Sequence, residues 1–149
     1  MKGLVYVSEA TMKFDQTKLA NLTLKASNKN KLLKITGYLY YEKNRFIQYI
    51  EGDDLSIDAL FENIKKDQRH NVINVISQEI NKRRFPAWQM NQLKKEDFVR
   101  TKMEHLITDL LLLKRNKTVD KENEWDRMAW EMIDRMAKLR TMVYKYPFA

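Results

Sequence analysis

Residues 35–41 and 45–52 are two runs rich in β-branched and aromatic side chains, and they flank the polar break Glu42-Lys43-Asn44. This pattern predicts a β-hairpin at the centre of the fold. Side chains alternate along a strand, so Phe46, Gln48 and Ile50 share one face while Ile47 and Tyr49 share the other. Gln48 therefore lies between two large apolar residues on a core face. A buried amide without partners costs about 1–3 kcal/mol, so the fold must supply it with hydrogen bonds.

The elements around the hairpin follow from periodicity. Residues 2–8 alternate as a first strand, with Leu4, Tyr6 and Ser8 on one face and Val5 and Val7 on the other. Asp15 is placed to cap a helix through Leu19, Leu22 and Ala26 to about Asn28. After the hairpin, Asp54 or Ser56 is expected to cap a second helix, with Ile57, Leu60, Phe61 and Ile64 on one face. Residues 71–80 read as a fourth strand, and a short fifth begins at Trp88, because Pro86 would break a ladder in mid-strand. The order βαββαββ predicts an α+β fold, a ferredoxin-like sheet with both helices on one face.

Near Leu93 the pattern turns helical, which divides the chain into residues 1–95 and 96–149. Met103, Leu106, Ile107 and Leu110 mark one stripe; Trp125, Met128, Ala129, Met132, Met136, Leu139 and Val143 mark another, ending before Pro147. A sheet with helices on one face needs cover on its second, so these C-terminal helices are expected to cap it. The same stripes would also serve a homo-oligomer or a partner protein.

Composition excludes more than it selects. The absence of cysteine removes disulfides, thiolate nucleophiles, iron–sulfur clusters and covalent thioether attachment. His70 and His105 belong to no metal-ligand spacing, and three glycines leave no phosphate-cradling loop. Glu51, Asp53 and Asp54 read as turn and capping groups, so no catalytic constellation is expected. The longest apolar run, Leu110 to Leu113, is too short to span a membrane, and the N-terminus lacks the pattern of a signal peptide, so a cytoplasmic protein is expected. The formal charge of +8 is shared between both halves: residues 1–97 carry 17 basic and 12 acidic side chains, residues 98–149 carry 11 and 8.

Four polar features remain that an apolar pattern does not require: Tyr6, Asn30, Gln48 and the run Asp67-Gln68-Arg69-His70. Together they ring the cleft between two helices and the sheet, where a polar-edged aromatic ligand would satisfy Tyr6 and Gln48 at once. These residues, with Tyr6-Val7-Ser8, Asn30 before Ile35-Thr36-Gly37, Phe46 to Gly52, and Phe85-Pro86-Ala87-Trp88-Gln89-Met90, resemble the BLUF domain, a flavin-binding blue-light sensor, over residues 1 to about 95.

The resemblance implies a non-covalent flavin, FAD with FMN or riboflavin as alternatives, held between the two helices. Tyr6 would donate an electron and a proton to the excited flavin, and Gln48 would bridge the Tyr6 hydroxyl and the ring edge. Asn30 would bond the pyrimidine edge, Ile35 and Ile64 would pack on the ring faces, and Asp67, Arg69 and His70 would address the sugar-alcohol chain and phosphate. Trp88 and Met90 would relay the rearrangement. The family usually has Asn or His where this chain has Lys29, a donor suited to a ring carbonyl or a phosphate, and often Ser where it has Ala26. With only helices after the domain, the resemblance is to the short stand-alone type, not an enzyme, acting through an unidentified downstream protein.

The rival reading is a nucleic-acid-binding module, since RNA-recognition motifs share this strand order and the chain is basic. That mode needs two stacking aromatics at alternate positions of the third strand. Phe46 and Tyr49 have opposite parity, which disfavours direct nucleic-acid contact.

Overall fold

The computed structural model describes residues 1–92, 98–114 and 119–145. The chain forms two compact units, Met1–Lys94 and Lys95–Ala149. The first contains β1 (Lys2–Ala10), α1 (Gln16–Leu32), β2 (Thr36–Glu42), β3 (Arg45–Gly52), α2 (Asp54–Lys66), β4 (His70–Glu79) and β5 (Gln89–Gln92). The second contains α3 (Phe98–Lys114) and α4 (Val119–Lys145). The fold is α+β, a mixed five-stranded sheet in the order β4-β1-β3-β2-β5, with β5 parallel to β2 and the other pairs antiparallel.

The hairpin closes through Lys43 and Asn44 alone, both with positive φ (50° and 67°). Two left-handed residues match the natural twist of a two-residue β-hairpin. The Asn44 side chain donates to the Ala10 carbonyl at 2.9 Å, which ties the turn to the end of β1. β1 and β3 run in register from Lys2↔Gly52 to Glu9↔Arg45, so Tyr6 pairs with Gln48.

The helix-facing side of the sheet buries Leu4, Tyr6 and Ala10 of β1, Leu39 of β2, and Phe46 and Ile50 of β3. Ile57 and Phe61 of α2 and Leu19 of α1 complete this core. Burying each of the Leu, Ile and Phe side chains here stabilises by about 1.5–3 kcal/mol. The helix α1 runs to Leu32 rather than to about Asn28, because no glycine or proline stops it before the left-handed Lys34 (φ 55°). Asp53, not Asp54 or Ser56, caps α2, its carboxylate accepting from the Ser56 amide. Asp54 falls in the first turn instead, where its charge suits the helix N-terminus.

Gly37 makes the β2–β5 junction. Its φ is 152°, and a Cβ there would lie 1.9 Å from the Tyr49 carbonyl oxygen. The pairing register shifts at this point, and the Gly37 amide donates to the Trp88 carbonyl at 2.8 Å.

A second polar centre lies near it. Glu51 is fully buried and accepts four hydrogen bonds, from the Tyr49 and Thr36 hydroxyls and from the backbone amides of Arg84 and Phe85, at 2.8–2.9 Å. Arg83 reaches the Thr36 hydroxyl and the Glu51 and Lys34 carbonyls. The residue that read as a turn group is thus the anchor of the β4–β5 connection. Beside it, Tyr38, Tyr49, Phe85 and Trp88 form an aromatic cluster with ring centroids 4.9–6.4 Å apart.

In the second unit α3 packs on α4. Ile107, Leu110 and Leu111 of α3 are buried, with Ala129, Trp130, Ile133 and Met136 of α4. Leu106 and Met128, expected on the buried stripes, are exposed. Ala129 and Met136 of the expected α4 stripe are fully buried, and Trp130 and Ile133 beside them widen the buried face to one side, because large apolar residues occupy more than one face of that helix. The side chains of Met103 and Val143 lie outside the described set.

Glu51→Gln keeps the shape but places an NH2 group against an existing donor. We expect it to destabilise the first unit by about 2–3 kcal/mol, measured by urea unfolding, whereas Thr36→Val costs about 1 kcal/mol.

Candidate functional site

A cavity of about 250 Å³ opens between α1 and α2 above the centre of the sheet. Tyr6, Leu39, Phe46 and Gln48 form its floor; Leu22, Ala26 and Asn30 line it from α1, Leu60, Asn63 and Ile64 from α2. Asp67, Arg69 and His70 close one end.

The buried Gln48 amide finds its hydrogen-bond partners beneath this cavity. The Tyr6 hydroxyl donates to Gln48 Oε1 at 2.5 Å, and Gln48 Nε2 donates to the Met90 thioether at 2.9 Å. Burial raises the Tyr6 pKa well above the usual phenol range, and the negative charge of Asp67 adds to it. Tyr6 is therefore held as a neutral donor. Met90 reaches the amide from a left-handed backbone (φ 64°) at the β2–β5 irregularity. An unbranched thioether tolerates such a position, at a cost of about 1–2 kcal/mol. Trp88 stacks on Phe85 and meets Tyr38 edge-on.

Asn30 lies in the last turn of α1, is 2% exposed, and makes no side-chain hydrogen bond to a described residue. A buried amide aimed at a cavity without a protein partner calls for a ligand edge that both donates and accepts. His70 differs from its expected role. Its Nε2 donates to the Ile64 carbonyl at 2.7 Å and its Nδ1 meets the Ser8 hydroxyl at 2.7 Å, so both ring nitrogens are held by the protein. It braces the end of α2 against β1. Arg69 chelates Asp67 through Nε and one terminal nitrogen at 2.6–3.1 Å.

The structure brings Tyr6, Lys29, Asn30, Gln48, Ile64, Asp67, Arg69 and His70 to one cavity, with Met90 behind Gln48. It does not bring Ile35, which is fully buried in the core and absent from the lining, because it precedes β2 and packs beside Gly52. The site residues expected from sequence did not include the apolar lining residues Leu22, Leu39, Phe46 and Leu60, nor Phe14, Lys25 and Asn63. Lys25 and Asn63 were accessible from helical spacing, each lying one turn or less from a chosen residue. Phe14 precedes α1 and carries no periodic signal. Among the described residues no cluster of His, Asp or Glu is suited to hold a metal ion, and no helix is long and apolar enough to cross a membrane.

A cavity over a phenol–amide–thioether chain, apolar within and polar at its rim, is the site of a small-ligand-binding module. The chain belongs to the BLUF family, sensors of blue-light using FAD, whose family model matches residues 1–91. It is 33% identical over 95 residues to photoactivated adenylate cyclase subunit beta of Euglena longa, covering 62% of this chain and 11% of that protein. The chain thus spans about a tenth of the length of that cyclase relative. Among solved structures, the ground state of BlsA is 31% identical with a TM-score of 0.56, over 66% of this chain and 69% of that one. The dark-state structure of BlrB, a BLUF protein, is 25% identical with a TM-score of 0.59, over 87% and 96%.

The hydrogen bonds from Arg69 hold the Asp67 carboxyl at about 2, below its ordinary 3.8. A folded value below the unfolded one means the pair stabilises the fold above about pH 3.8 and loses that contribution as pH falls toward 2. We expect Arg69→Gln to return the Asp67 titration toward the usual carboxylate range, followed by the side-chain carboxyl 13C shift in NMR.

Proposed function

We propose that this chain is a blue-light sensor in which Tyr6, Gln48 and Met90 respond to a flavin held non-covalently in the cavity. The observation that carries the reading is the Tyr6–Gln48–Met90 hydrogen-bond chain beneath a cavity whose buried Asn30 amide has no described protein partner. The lining fits such a group. Leu22, Leu39, Leu60 and Ile64 suit the faces of a tricyclic ring, and Asn30 suits its polar edge. No cysteine is present to attach it.

When bound, flavin supplies a chromophore that becomes a strong oxidant on absorbing blue light. Tyr6 would supply an electron to the excited ring and its hydroxyl proton to Gln48 Oε1, and both would return to Tyr6 as the network rearranges, so no net redox change remains. Gln48 is suited to the relay because an amide accepts at one atom and donates at the other. Rotation of Gln48 exchanges its two contacts: the nitrogen then donates to Tyr6, and the oxygen faces a thioether with no proton to give; tautomerisation would instead make the oxygen the donor toward Tyr6. Met90 loses its hydrogen bond, and the left-handed backbone of β5 loses what holds it. No substrate is turned over, so the output is conformational and the module is a sensor, not an enzyme.

The proposed route runs from Met90 through β5 to the helices of residues 98–149, and from there to a downstream protein in the cytoplasm, with self-association through α4 as a second form of output. A coupling of about 1–3 kcal/mol is enough to change partner binding usefully.

The purified protein is expected to be yellow and to release free flavin on denaturation. Tyr6→Phe should keep the colour but lose the light-induced red shift of the flavin band. A preparation that stays colourless after incubation with FAD, FMN and riboflavin overturns the reading. A reversible red shift in Tyr6→Phe removes Tyr6 from the mechanism.

The relay has its own test. Hydrogen exchange in residues 98–149 is expected to differ between dark and illuminated protein. Met90→Ala should keep the spectral shift while losing most of that difference. Equal exchange in the two states of the wild type, or the full difference in Met90→Ala, rules out the route through β5.

A further inference from the structure

The cavity rim carries charge that a flavin ring does not need. Residues 13–34 hold six lysines and one aspartate, an excess of five, which equals the excess of residues 1–97 as a whole. α1 itself has Lys18, Lys25, Lys29 and Lys31 and no acidic residue. Lys25 and Lys29 are one turn apart on the same face, both exposed and both lining the cavity. Neither forms an ion pair with a described residue. Asp67, the one carboxylate among the described lining residues, has both oxygens taken by Arg69. The rim therefore presents two uncompensated positive charges.

The isoalloxazine ring and its sugar-alcohol chain are neutral; the phosphate ester of FMN and FAD is anionic. We propose that Lys25 and Lys29 form a phosphate subsite at the mouth of the flavin cavity, so that this chain selects phosphorylated flavins over riboflavin. The inference rests on the flavin reading above. Both lysines lie toward the C-terminal half of α1, whose dipole disfavours an anion. The attraction must therefore come from the two ammonium groups rather than from backbone amides. Two like charges at this spacing also repel each other by a few tenths of a kcal/mol, a cost that a bound anion removes.

The test is a titration of flavin-free full-length protein with riboflavin, FMN and FAD, at about 20 mM and about 0.5 M salt. At low salt FMN and FAD are expected to bind roughly fivefold or more tightly than riboflavin, with the ratio falling toward one at high salt. In Lys25→Gln/Lys29→Gln the low-salt ratio should fall to within about twofold. Equal wild-type affinities for all three flavins at low salt overturn the subsite and leave the flavin reading standing. A ratio that persists in the folded double variant does the same. Failure to bind any of the three overturns both.

Discussion

The antiparallel pairing of Tyr6 with Gln48 is the contact on which the site depends. It is set by the register of β1 on β3, which runs unbroken through eight residue pairs. A slip of one residue would send Gln48 to the opposite face of the sheet and replace it in the cavity floor with Ile47 or Tyr49. The register is held at one end by the two-residue turn at Lys43 and Asn44 and at the other by the Lys2↔Gly52 pair. The apolar neighbours Leu4, Ile50 and Phe46 fix the same choice from the core side. The hydrogen bond at 2.5 Å is thus a product of sheet geometry, not of a flexible loop finding its partner.

β3 also carries a second polar centre of opposite parity. Gln48 points toward the helices and Glu51 is directed to the other side, and each holds a different part of the stretch that runs from the end of β4 into β5. Glu51 takes the amides of Arg84 and Phe85; Gln48 takes the thioether of Met90. The first is a saturated carboxylate with four donors, so it has no alternative arrangement of similar energy. The second is an amide bonded to one phenol and one weak acceptor, which leaves a reversed arrangement within reach. One end of the segment is therefore fixed and the other is free to change.

Much of this was legible in the sequence, for identifiable reasons. Periods of two and of three to four residues placed the strands and the helices of the first unit, because its sheet is apolar toward the helices and α2 is strongly amphipathic. Tyr6, Asn30 and Gln48 stood out because polar side chains interrupted otherwise apolar patterns; the family resemblance gave them roles, and it alone singled out Met90. What was not legible depends on distant partners. Nothing local shows that Glu51 gathers donors from Thr36 and Phe85, or that Ser8 and the Ile64 carbonyl occupy both nitrogens of His70. Ile35 looked like a ring-packing residue from its motif, yet its position ahead of β2 puts it in the core. On α4, methionine and tryptophan on several faces left the period ambiguous, and Trp130 with Ile133 proved the buried pair.

The parallel pairing of β5 with β2 spans only a few residues, at the edge of the sheet, and is broken by a shift between Gly37 and Tyr38. Such a strand has the smallest cooperative hold on the molecule: it can separate from its neighbour without disturbing the long ladders that join β4, β1, β3 and β2. The long ladders of the remaining sheet form the frame on which this short strand sits. Under the proposed relay, the loss of one hydrogen bond at Met90 would act through the occupancy of a locally open state, with the global stability of the domain left almost untouched.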